Sequence, residues 1–281
     1  MEKPKFDKHK AVFWIVLSIM LFVRIPLESW AIYLFPSTPK VIDPLYQICT
    51  YLLLVFLIWW EREQLSQYHM DSLAIIFIIF FKPISIVLLP LLGGANNPLA
   101  FPKPLGLVFI IAALALLVLL VVRQRNSLVK FGSNTIIWLI LGGILGIFLA
   151  AVYTIIMIGW LHYPVPPYPG LMALIAPFYQ LGFASVAEEP IFRGFLWGGL
   201  RRSGLKEIWI LLIQAILFTL AHVWVLSSPQ PLLFLGETFI FSIMLGLLVW
   251  RSRLLSSSMA MHAFYNGSPM VLYWISSLLF R

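Results

Sequence analysis

Residues 171–200 read LMALIAPFYQLGFASVAEEPIFRGFLWGGL. Glu188, Glu189 and Arg193 are the only charged side chains in the stretch. A helix crosses the hydrocarbon of a bilayer with about 20 mostly apolar residues, so this stretch reads as a membrane span. A charged group near the middle of a span costs about 2.5–3.5 kcal/mol or more. Three in one span therefore mark a structural ion pair or a functional site. The question of the fold and the question of the function start from the same thirty residues.

The rest of the chain has the same character. Of 281 residues, 61% are hydrophobic and 11% charged, and the mean hydropathy is +0.96. A soluble domain carries about 25% charged residues. The composition predicts an all-α, polytopic transmembrane bundle of 8–9 spans. Apolar runs fall at 11–34, 44–60, 72–92, 105–122, 135–159, 171–200, 207–226, 232–250 and 254–280. Arg24, Pro26 and Glu28 interrupt the first, which predicts a short span followed by an interfacial piece. Lys82-Pro83 predicts a kink in the third. The segment HYPVPPYPG, 162–170, reads as a stiff connector. The basic-then-apolar N-terminus has no small-x-small site after it, so it reads as an uncleaved first span. A single cysteine, Cys49, leaves no internal disulfide framework and no Cys-based zinc cluster.

Orientation follows from the basic residues. With the N-terminus in the cytoplasm, 13 of the 19 Lys and Arg fall in inner segments and 4 in outer ones. That bias accounts for the net charge of +8 without nucleic acid as a partner. The lipid bilayer is the expected environment, and the architecture fits a multi-pass protein of a prokaryotic plasma membrane.

Three polar clusters lie within the C-terminal spans: EEPIFR at 188–193, FTLAH at 218–222 and HAFYN at 262–266. An intramembrane histidine by itself is usually a hydrogen-bonding group between helices, and a Glu/Arg pair at i, i+4 is often structural. Depth separates these readings. At 1.5 Å per residue from the cytoplasmic ends, Glu188 and Asn266 lie roughly 18 Å deep, His222 roughly 21 Å and His262 roughly 12 Å. Helices running in opposite directions thus bring their polar groups near the middle third of the bilayer, which a shared site requires. Arg193, four residues after Glu189, is placed to pair with it. Glu188 is then the freer carboxylate, and Pro190 predicts a local opening of the helix beside it. Hydrolysis suits such a set. Glu188 would take a proton from water and His222 would orient that water. His262 and Asn266 would donate to the oxyanion, where one donor is worth about 3–4 kcal/mol.

Together the clusters resemble the CPBP family, the CaaX prenyl protease and bacteriocin-processing (Abi) proteins, marked by EExxxR, FxxxH and HxxxN on successive core helices. The match covers about residues 171–267. The resemblance implies a glutamic-type intramembrane endopeptidase, a hydrolase of peptide bonds. Its catalytic residues would be Glu188, His222, His262 and Asn266, with Glu189 and Arg193 supporting. It implies N-terminal accessory helices over 1–130 and a protease core over 131–281. It needs no cofactor. Its substrate would be a peptide or protein, with prenylated and membrane-anchored chains among the candidates. Three other readings use the same residues: a zinc protease ligated by Glu188, His222 and His262, a non-catalytic scaffold or immunity protein, and a transporter using Glu237 as a further buried acid.

Overall fold

The computed structural model describes residues 7–35, 39–86, 103–123, 125–161 and 170–279. The connector 162–169 and the end of the third run, 87–92, lie outside them. Each apolar run corresponds to a helix: α1 Lys8–Trp30, α2 Pro39–Trp60, α3 Ser72–Ile86, α4 Lys103–Arg123 and α5 Ser133–Trp160. They are followed by α6 Gly170–Arg202, α7 Glu207–Leu220, α8 Pro231–Ser252 and α9 Leu255–Leu279. No named strand occurs among the described residues. The protein is an all-α membrane bundle, with α1, α4, α5, α6 and α8 each long and apolar enough to cross a bilayer. Their outward faces are apolar, as at Ile111, Ile144 and Ile240. Lipid accepts such faces, so the interior is free to hold the polar groups.

Two expectations change. The first run is not broken: α1 passes through Val23–Trp30 with a wider, π-helical winding and continues over Ala31–Leu34. Winding of this kind absorbs Pro26 without ending the helix. Arg24 and Glu28 are buried in the protein, where each compensates the other's charge, so neither marks an interface. The seventh helix also stops at Leu220, short of the expected 226. A turn at Ala221–His222 leads into a 3₁₀ segment, Val223–Ser227.

Small residues bring α5 and α9 into backbone contact. A Cβ on Gly142 would lie 2.2 Å from the carbonyl oxygen of Ser257, and one on Gly146 would lie 2.4 Å from that of Met261. Lipid supplies no hydrophobic drive between helices, so close packing of this kind is what associates them. The start of α9 is held separately. The Ser256 amide donates to Asp71 Oδ1 at 2.9 Å, and the Leu255 amide donates to the His69 carbonyl at 2.8 Å. An acid at the first turn satisfies donors that a helix leaves open. Seated at its start and along its length, α9 presents His262 to α6.

Candidate active site

The winding of α6 changes around the two glutamates. Leu181–Ser185 is π-helical, Val186–Glu189 is α-helical and Pro190–Leu196 is π-helical again. Pro190 lacks an N–H, and the helix answers by rewinding where an opening was expected. Glu188 is 6% exposed, and Glu189 and Arg193 are fully buried.

Glu189 and Arg193 pair as their spacing predicts, Nη1 to Oε1 at 3.1 Å. Arg193 Nη2 also donates to the Ser242 hydroxyl at 2.7 Å and its carbonyl at 3.2 Å. Gln214 Nε2 reaches the same carbonyl at 3.3 Å. The guanidinium lies 4.2 Å from the centre of the Phe218 ring, a cation–π contact. One arginine therefore ties α6 to α7 and α8. Glu189 Oε1 in turn receives His262 Nδ1 at 2.8 Å, which joins α9. That hydrogen bond places the proton on Nδ1 and leaves Nε2 facing inward. The Nε2 atom lies 3.9 Å from Glu188 Oε2.

His222 is oriented by its own helix end. Its Nδ1 lies 2.8 Å from the Phe218 carbonyl, one of the last-turn carbonyls that a helix leaves without an N–H partner. The proton is again on Nδ1, and Nε2 lies 3.8 Å from Glu188 Oε2. Two imidazole nitrogens thus face one carboxylate oxygen, and that oxygen is buried with no hydrogen-bond partner. Asn266 makes no hydrogen bond to Glu188. It lines a cavity of about 370 Å³ together with His222 and His262.

The site includes a residue that spacing did not reveal. Arg24 of α1 donates from Nη2 to Glu188 Oε1 at 2.6 Å and from Nη1 to Glu28 Oε2. The same Nη2 stands 3.4 Å from His222 Nε2. Glu188 is therefore only half free: Oε1 is held and Oε2 is open. The site also extends beyond 131–281. The available signal was Arg24 and Glu28 at i, i+4 within an apolar run, read instead as an interruption. Among the described residues, no group of three His, Cys, Asp or Glu side chains is placed to hold a metal ion.

The arrangement defines a class first: a membrane protein with a buried centre of carboxylate and imidazole groups, whose two histidines also line a cavity with Asn266. Residues 169–268 match the family described as type II CAAX prenyl endopeptidase, Rce1-like. The matched segment runs from the start of α6 into α9 and contains Glu188, Glu189, Arg193, His222, His262 and Asn266. The motif resemblance is borne out over that segment, and the match supports an intramembrane protease. The chain matches no curated protein and no solved structure.

Proposed function

We propose that the protein is a glutamate-dependent intramembrane endopeptidase that hydrolyses a peptide bond without a cofactor. The observation that carries this reading is the open oxygen of Glu188. It is buried and unpartnered, it faces two imidazole Nε2 atoms, and the carboxylate's other oxygen is fixed by Arg24. A water between these groups donates one proton to Glu188 Oε2 and is aligned by His222 Nε2. Its oxygen bonds to the scissile carbonyl carbon, and the carbonyl π pair moves onto oxygen. Asn266 donates to that oxyanion. His262, its Nδ1 held by Glu189, presents Nε2 to the same oxygen of Glu188 and confines the water there. Glu188 then returns the proton to the leaving nitrogen, the C–N bond breaks, and one water has been consumed. Glu189 and Arg193 act by positioning.

The substrate class follows from the surroundings and from the family description. A peptide reaching this depth is membrane-anchored, and a prenylated C-terminal peptide is one such chain. The test uses purified full-length protein in lipid nanodiscs with libraries of lipid-anchored and prenylated peptides, read by mass spectrometry. Wild type is expected to cleave, and Glu188→Gln, which keeps size and hydrogen bonding, is expected to lose about 10³-fold or more of the rate while remaining folded. Phenanthroline should leave wild-type cleavage intact. Inhibition reversed by zinc would move the chemistry to a metal-bound water. Near-normal turnover by Glu188→Gln would remove that residue from the mechanism.

A further inference from the structure

Seven glutamates lie among the described residues, and six of them pair with an arginine. Glu28 and Glu188 pair with Arg24, Glu61 with Arg202, Glu63 with Arg62, Glu189 with Arg193 and Glu207 with Arg201. Glu237 is the exception. Among the described residues its one hydrogen-bond partner is uncharged, the Tyr265 hydroxyl, which donates to Oε1. A carboxylate kept within a membrane bundle is otherwise matched with a positive charge.

Glu237 belongs to the same cavity as His222, His262 and Asn266. Six aromatic side chains also line that cavity: Tyr153, Phe218, Trp224, Phe234, Phe241 and Tyr265. Several of them pack edge to edge or face to face. Tyr153 lies 6.2 Å from both Phe234 and Tyr265, and Phe241 stacks on Tyr265 at 4.1 Å. Phe241 in turn meets the His262 ring at 5.4 Å, so the wall reaches the candidate catalytic groups. Aromatic faces carry negative potential and attract organic cations, most strongly where water is excluded. Neutral aromatic walls around one carboxylate form a receptor for a cation on an apolar stem. A lysine or arginine side chain has that form.

We propose that Glu237, held by Tyr265 within this aromatic wall, forms a specificity subsite for a lysine or arginine side chain close to the scissile bond. The inference rests on the protease reading, because the occupant is a residue of the peptide being cleaved. The incoming cation supplies Glu237 with the partner that the fold withholds, so a substrate with a basic residue at that position is selected over its neutral isostere.

The test uses full-length protein in nanodiscs of phosphatidylglycerol and two positional-scanning peptide sets that differ only in lysine or norleucine at one position at a time. Cleavage by wild type is expected to favour lysine about tenfold or more at one position, the magnitude of one charge-assisted contact. Glu237→Gln is expected to bring that ratio to within about twofold, and Tyr265→Phe, which frees the carboxylate, to an intermediate value. The same ratio is read as binding, by fluorescence anisotropy on Glu188→Gln, so it does not depend on turnover. Lysine preference in binding without any cleavage by wild type would retain the subsite and reject the protease reading. Cleavage with equal rates for both sets at every position would reject the subsite and retain the protease. A preference unchanged in Glu237→Gln would also overturn it. Competition by phosphatidylcholine nanodiscs that erases the lysine preference would assign the pocket to a choline headgroup and overturn the peptide assignment.

Discussion

At the scale of single residues, Arg24 has the largest consequence outside the motifs. It holds Glu188 and Glu28 together, 164 residues separating it from Glu188 in the chain. Removing one member of a buried ion pair leaves uncompensated charge and costs about 3–5 kcal/mol. Arg24→Ala is therefore expected to lower the unfolding temperature in detergent markedly. Arg24→Lys keeps the charge but loses the fork that reaches two carboxylates. It is expected to retain the fold and to lose about tenfold to a hundredfold in cleavage rate, which is about 1.4–2.8 kcal/mol of positioning. Unchanged turnover in Arg24→Lys would confine Arg24 to a structural role. Glu188, Glu189, Arg193, His222, His262 and Asn266 were legible in the sequence because each is a polar group within an apolar run, and the three spacings recur in order. Arg24 and Glu28 had the same signal but were obscured by Pro26. No spacing rule connects α1 to α6, because that contact is made by tertiary packing alone. Ser242, a buried partner of Arg193, and Gln214, which is buried and bonds to Ser242, were hidden for a plainer reason. A lone serine or glutamine in a span is common enough to carry no signal.

At the scale of elements, the apolar runs located the nine long helices of the described residues, since span length is set by bilayer thickness. It missed how they wind and where α7 ends. The π-helical turns answer local demands, such as Pro26, Pro190 and buried charge, and hydropathy does not register those. The residues after Leu220 remain apolar although the helix has turned, so the run overshot. Two element-level tests concern the seating of α9. Gly146→Leu drives a side chain into the Met261 carbonyl and is expected to destabilise the bundle and abolish cleavage. Gly159→Leu, on the same helix with open space beside it, is expected to be tolerated. Equal behaviour of the two would deny the close contact. The second test is of pH. His69 sits in the turn before α3 with a left-handed backbone (φ 58°). Burial, with Arg201 and then Arg253 nearby, pushes its pKa down from 6.5 to about 3. The unfolded chain takes up that proton first, so the contribution of His69 is present above about 6.5 and is lost as pH falls toward about 3. Asn adopts the left-handed region readily and does not titrate. Wild type should therefore lose unfolding temperature more steeply than His69→Asn between pH 7 and pH 5. Asp71, whose carboxyl burial raises, is common to both proteins. Parallel curves would show that His69 takes up its proton in the fold as readily as in the unfolded chain, and would contradict the lowered value.

At the scale of the molecule, the proposed chemistry depends on α1, α6, α7 and α9 meeting at one point. Their polar groups come from ends of the chain far apart in sequence and from helices that run in opposite directions. The bundle keeps apolar faces outward and spends its interior on a chain of charged and amide groups from Arg24 through Glu188 and Glu189 to Arg193, Ser242 and Gln214. That convergence is what cysteine cross-linking in the native membrane measures. With the single thiol removed by Cys49→Ser, cysteines are introduced in pairs at 24 and 188, 188 and 222, and 188 and 262. A pair at 15 and 144, outward-facing positions on α1 and α5, is the control. A short thiol cross-linker should join all three site pairs readily and leave the control unjoined. Failure of position 188 to join 24, 222 or 262, while a cysteine at 188 still reacts singly, would show that the four helices share no site and that the glutamates serve packing instead.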